Sequence, residues 1–289
     1  AATVAFVILY FPLEVDMARN TKSIALLTIH GMGETPKNYH KLFLERVKKY
    51  VGKDAWKNVA FESIFYQDIL QKNQADIYRR MKPHIRGQGL RRFLMYNFSD
   101  AASLDYHKEN ANSAYRQAQS RISNALRNVY EKCGQRDVPV VILAYSLGCH
   151  VISNYIWDAQ QSSPDAGVWT KNTPLKDEAQ ANFLRLNSLQ HLITIGCNIP
   201  VFVAGYKDIK PFNKPNKKFK WLNLYDKDDV LGWPLEPLSP DYRKLVKDMP
   251  INANENFSDL LLKSWNPYSH EHYFGDKTVI QSVGDALKR

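Results

Sequence analysis

From Lys22 onward, short apolar runs alternate with longer stretches in which apolar residues recur every three or four positions. That succession predicts βαβ units around a mostly parallel sheet. Residues 23–29 form a nearly continuous apolar run, as expected of a strand buried on both faces. Residues 38–51 set Tyr39, Leu42, Phe43, Arg46, Val47 and Tyr50 at helical spacing, and residues 59–66 alternate like a strand. Residues 67–99 mix apolar positions with Arg79, Arg80, Lys82, Arg86, Arg91 and Arg92, and Pro83, Gly87 and Gly89 interrupt any long helix. A helical excursion covering one end of the sheet is expected there. Residues 113–133 read as an amphipathic helix closed by Gly134, a natural C-terminal cap. Residues 138–144 are the most strand-like segment, and residues 148–158 read as a helix. The polar stretch 160–180, with Pro164, Gly167 and Pro174, is expected to be a loop or part of a cap. Residues 192–195, 219–225 and 245–251 supply three further strands, and residues 276–288 a closing helix.

This pattern occupies almost all of the 289 residues, and α/β folds of this size are routinely one domain. We expect a single α/β domain over residues 17–289, with insertions around 67–99 and 158–189. Residues 1–11 are apolar at every position except Thr3, too short a run to span a bilayer and without the Lys or Arg that opens a signal peptide. Met17 reads as an alternative start, which makes residues 1–16 an upstream extension. The extension is expected to form an edge strand or a contact with a second copy, giving a homodimer. Without a clear signal or spanning segment, a cytoplasmic location is expected.

The composition is 44% hydrophobic and 24% charged, neither disordered nor low-complexity. Cys133, Cys149 and Cys197 are odd in number, widely spaced and free of any Cys-x-x-Cys pair. They argue against a disulfide framework or a zinc knuckle. The histidines show no convincing ligand spacing, so neither metal nor cofactor is expected.

The strongest chemical signal is Val140-Val141-Ile142-Leu143-Ala144-Tyr145-Ser146-Leu147-Gly148-Cys149-His150. A strand runs into a serine flanked by small residues two positions away on each side, and a helix begins at once. A nucleophile elbow needs that arrangement, because bulky side chains at those two positions would strike the neighbouring strand and helix. Ala144 and Gly148 satisfy it. His30-Gly31-Met32-Gly33 follows the first buried strand, where glycines allow close backbone approach and amides can face a developing oxyanion. Asp226, Asp228 and Asp229 lie just past the 219–225 strand, and Ser269-His270-Glu271-His272-Tyr273 lies in a loop before the last helix. Serine, then aspartate, then histidine, each beyond a strand, is the chain order of α/β hydrolases.

With these motifs, residues 20–289 resemble the serine α/β hydrolases of the lipase and esterase type. Ala144 departs from the usual glycine, and Tyr145 stands where histidine is frequent. The segment Asp229-Val230-Leu231-Gly232-Trp233-Pro234-Leu235-Glu236-Pro237-Leu238 is similar to a stretch of the intracellular phospholipase A1 (DDHD) family. Thr194-Ile195-Gly196-Cys197-Asn198-Ile199-Pro200 resembles the turn after the next strand there. The resemblance implies Ser146 as nucleophile and His270 as base, since His-x-x-aromatic before the final helix is similar to the pattern in such hydrolases, with His272 as rival. It implies Asp229 as the acid, with Asp226 and Asp228 as rivals, and the amides of Met32 and Leu147 as oxyanion donors. His30 and His150 are assigned structural roles. The implied activity is hydrolysis of a small-molecule ester or lipid through an acyl-enzyme. Phospholipase or thioesterase chemistry with the same triad, or a hydrolase-fold binding protein without turnover, are the alternatives.

Lysine and arginine exceed aspartate and glutamate by 39 to 29, a net charge of +10. The surplus concentrates in residues 79–92 and 207–220. Neither cluster matches a nucleic-acid module, so no nucleic-acid partner is expected. A solvated face or a peripheral contact with anionic lipid remains.

Overall fold

The computed structural model describes residues 21–105, 110, 112–161, 165–170, 173, 175–253 and 272–288. β1 (Ile24–Ile29) is buried at every position, as its unbroken apolar run demands. It leads through α1 (Lys41–Val51) and the short α2 (Lys53–Trp56) to β2 (Val59–Ile64). Next come α3 (Asp68–Met81), α4 (Gln88–Asp105) and α5 (Ala114–Lys132), the last capped by the Ser113 side chain on the Arg116 amide. β3 (Val140–Tyr145) runs into α6 (Leu147–Gln160), followed by a small antiparallel pair, β4 (Asp165–Ala166) and β5 (Trp169–Thr170). α7 (Glu178–Leu184), β6 (Leu189–Ile195), α8 (Ile199–Val203) and β7 (Lys220–Asp226) continue the alternation. α9 (Pro240–Leu245), β8 (Val246–Ile251) and α10 (Lys277–Leu287) complete it.

Six strands form one sheet in the order β2-β1-β3-β6-β7-β8, and every pairing in it is parallel. The chain is therefore α/β, with a parallel central sheet flanked by helices. Alternation along each strand divides the apolar side chains between two layers. Ala25, Leu27 and Ile29 join Val140, Ile142 and Ala144 beneath α5 and α6. Ile24 and Leu26 join Val141 and Leu143 beneath α1 and α10. Among the described residues, no helix is long and apolar enough to cross a membrane.

The chain steps outward from β1 to β2, then returns past β1 to β3 and proceeds the other way. That reversal lies between β1 and β3. In open parallel sheets the crevice beyond the carboxyl ends of the strands at such a reversal is where ligands bind. His30 and Gly31 leave β1 at that point, and Ser146 leaves β3 beside them.

Residues 160–180, read as a loop or part of a cap, contain β4 and β5 and the start of α7. α7 forms because the Asp177 side chain accepts from the Gln180 amide, while Phe183 and Leu184 are buried. Asp226 is the last residue of β7, not a residue beyond it. The apolar extension at residues 1–16 and His270 lie outside the described residues.

Candidate active site

β3 must turn abruptly to become α6, and Ser146 takes the whole turn. Its φ of 53° and ψ of −123° lie where a non-glycine residue is strained by about 1–3 kcal/mol. Two backbone hydrogen bonds hold it there: Ser146 N donates to Ile195 O at 3.0 Å, and Cys149 N donates to Ser146 O at 2.9 Å. Close packing also fixes the surroundings. A Cβ on Gly148 would lie 2.4 Å from the carbonyl oxygen of His30. One on Gly31 would lie 2.6 Å from Ser146 Cβ and 3.2 Å from its Oγ. The β1 exit loop thus rests directly on the serine, and Ala144, fully buried in β3, adds no bulk beneath it.

Ser146 is wholly buried, and its Oγ has no hydrogen-bond partner among the described residues. A buried hydroxyl left unsatisfied costs about 1–3 kcal/mol. Backbone strain and a buried hydroxyl without a partner among the described residues therefore fall on one residue, at the sheet's switch point.

The loop opposite is held by its carbonyls. Tyr66 Oη donates to His30 O at 3.0 Å and to Gly31 O at 3.2 Å. His30 Nε2 accepts from the Tyr66 amide at 3.1 Å, so Nδ1 carries the proton and donates to Gly31 O at 2.7 Å. Burial drives the His30 pKa down to about 4 against the opposing pull of that backbone bond, so the ring is neutral at pH 7. It also stacks on Tyr66 at 4.1 Å. His30 is a loop brace. The Met32 amide has no acceptor among the described residues. Leu147 is the first residue of α6, where an amide lacks an intrahelical acceptor and the helix dipole favours negative charge.

Gly33, at φ 87°, anchors the far end of the loop. Its amide donates at 2.8 Å to Asp100 Oδ2 on α4. Asp100 is fully buried and also accepts from the side-chain amides of Gln74 and Gln67. Burial raises its pKa, while these three donors work to keep it ionised. Nothing in the sequence distinguishes Asp100, because its partners come from β1's exit, from α3 and from Gln67 just before that helix.

At the end of β7 the three aspartates separate clearly. Asp228 is exposed. Asp226 uses both oxygens on backbone amides, Oδ1 accepting from Asp228 N at 3.0 Å and Oδ2 from Ala253 N at 2.9 Å. Asp229 is buried, with Oδ1 accepting from Leu231 N at 2.9 Å and Oδ2 from Tyr273 Oη at 2.9 Å. Tyr273 accepts in turn from Asp226 N at 2.8 Å. Burial, reinforced by the Asp229 charge, pushes the Tyr273 pKa far above its ordinary value, so it stays a donor. Gly232 leaves room for this arrangement: a Cβ there would come 2.4 Å from Asp229 Oδ2. The sequence marked Asp229, and Tyr273 as the aromatic that follows His270, but not the hydrogen bond that joins them.

Other histidines stand apart. His272 is exposed beside Tyr273. His150 stacks on Phe202 at 4.2 Å, with Asn154 at 3.0 Å from its Nε2. The three cysteines are free and buried, and Cys149 Sγ donates to Ala144 O at 3.3 Å behind the serine. No protein-family model and no curated protein matches the chain.

Proposed function

We propose that this chain is a serine hydrolase of the α/β-hydrolase fold that cleaves carboxylic esters, acyl esters of the lipid type included. One observation carries the reading above all others: Ser146 is held at a left-handed backbone angle against the Gly31 loop, with a buried hydroxyl that has no partner among the described residues. Fold stability alone gives no reason to keep both costs at one residue.

In the proposed reaction, His270 removes the Ser146 Oγ proton as Oγ bonds to the ester carbonyl carbon. The carbonyl π pair moves to oxygen, and the Leu147 and Met32 amides donate to that oxyanion. Collapse of the intermediate breaks the bond to the alcohol oxygen, which takes the proton from His270, leaving an acyl-Ser146. Water repeats the sequence, its proton passing through His270, and releases the acid. Asp229 orients the imidazole and offsets the imidazolium charge. Its burial favours it over the exposed Asp228, and the side-chain hydroxyl of Tyr273 on its Oδ2 sets it apart from Asp226, which is equally buried but accepts from backbone amides on both oxygens.

The test is hydrolysis of a short p-nitrophenyl ester by the full chain and by Ser146→Ala. The reading expects turnover that the variant loses; a variant as active as the parent eliminates Ser146 as nucleophile.

A further inference from the structure

The insertion between β2 and β3 leaves an apolar stripe uncovered. On α4, Leu90, Leu94 and Phe98 are spaced four apart, share one face and are exposed, Phe98 at 68%. Ile77 and Met81 of α3, the helix packed against α4, are exposed as well. Soluble surfaces scatter large apolar side chains singly; a contiguous set marks a contact surface. The charge around it has one sign. Residues 77–99 contain no aspartate or glutamate. Arg79 is paired with Asp76 and Arg92 with Glu34, whereas Arg80, Lys82, Arg86 and Arg91 have no ion pair among the described residues.

An apolar stripe bordered only by basic residues complements one occupant: a bilayer with anionic headgroups, whose acyl region accepts the leucines and phenylalanine while lysine and arginine reach the phosphates. A protein partner would need both an apolar groove and a ring of acidic residues. The stripe is also mechanically close to the candidate nucleophile. Asp100 and Asn97 of the same helix flank Gly33, and Arg92 reaches Glu34 in the same loop.

We propose that the α3–α4 face docks on anionic lipid membranes, so that the esters reaching Ser146 are lipids held at that surface. The substrate assignment rests on the hydrolase reading; the docking does not.

The test is co-sedimentation of the full chain with phosphatidylcholine vesicles, with and without phosphatidylglycerol. Binding is expected to need phosphatidylglycerol and to weaken with added salt. Arg86→Glu/Arg91→Glu should bind at least about 25-fold more weakly, at roughly fivefold per basic residue lost. Leu94→Ser/Phe98→Ser should also bind weakly while melting like the parent, since both side chains are on the surface. Ser146→Ala should bind like the parent. Failure of the parent to bind, or unchanged binding by both double variants, overturns the proposal. So does a parent dimer that Leu94→Ser/Phe98→Ser converts to monomer, which would make the face a self-association surface. Vesicle binding by a chain that hydrolyses no ester supports docking and sinks the hydrolase reading; soluble-ester hydrolysis without vesicle binding does the reverse.

Discussion

Gly31→Ala is the sharpest perturbation of the site, because it adds one methyl group and nothing else. The added Cβ would sit 2.6 Å from Ser146 Cβ and 3.2 Å from Tyr145 Cδ1. Carbon atoms in contact prefer about 3.5–4.0 Å, so the loop and the serine must separate by roughly 1 Å. Overpacking of this kind costs about 1–3 kcal/mol, and each kcal/mol lowers the melting temperature by about 2–4 °C in a domain near this size. The functional loss should be larger than the thermal one. Displacing a reacting group by about 1 Å costs on the order of a hundredfold in rate. Gly205→Ala is the control, since its Cβ would meet no heavy atom within 4 Å. Thermal melting and ester hydrolysis of the two variants measure both effects. Ser146→Gly in the Gly31→Ala background removes the opposing Cβ and should recover most of the lost melting temperature, as a direct contact requires. A folded Gly31→Ala protein with parental turnover, or no recovery in the double variant, would refute the reasoning.

Tyr273→Phe removes the donor to Asp229 Oδ2 and leaves the buried Asp226 amide without its acceptor; stability should fall by about 1–3 kcal/mol, with kcat reduced and KM little changed. A kcat equal to the parent's would separate Asp229 from catalysis. Asp100→Ala strips the acceptor from Gly33, Gln74 and Gln67 and should cost at least about 2 kcal/mol in denaturant unfolding, with slower ester turnover because the Gly31–Gly33 loop loses its anchor. Turnover unaffected by the change would restrict Asp100 to a purely structural part. His30 gives a pH dependence. Its folded pKa of about 4 lies below the unfolded 6.5, so the unfolded chain binds more protons between these values and stability falls as pH drops through that window. The loss reaches roughly 3 kcal/mol below pH 4, and His30→Gln should flatten this part of the profile; an unchanged slope would contradict the buried neutral ring.

The parallel sheet was legible because strands buried on both faces must be apolar throughout, as Ile24–Ile29 and Val140–Tyr145 are. The Gly134 cap was legible for a similarly local reason, and Gly134 takes a φ of 68°. The short α8 and α9, with only Ile199 and Tyr242 buried, carry too little periodicity to be read. Ser146, Gly31 and Gly148 announce themselves because a tight turn limits side-chain size locally. The bonds of Asp100 to Gly33 and of Tyr273 to Asp229 do not, because the partners lie 67 and 44 residues apart in the chain. The choice among Asp226, Asp228 and Asp229 likewise depended on burial and hydrogen bonds that adjacent identical residues cannot reveal.

Activation of Ser146 is the claim on which the functional account depends, and a fluorophosphonate tests it most directly, since the reagent phosphonylates only a serine whose proton is removed by a base. Mass mapping after incubation of the full chain should find one adduct, on Ser146, absent from Ser146→Ala and slowed in Gly31→Ala. A chain that stays unmodified under conditions that label a known serine esterase, or an adduct on another residue, would contradict it.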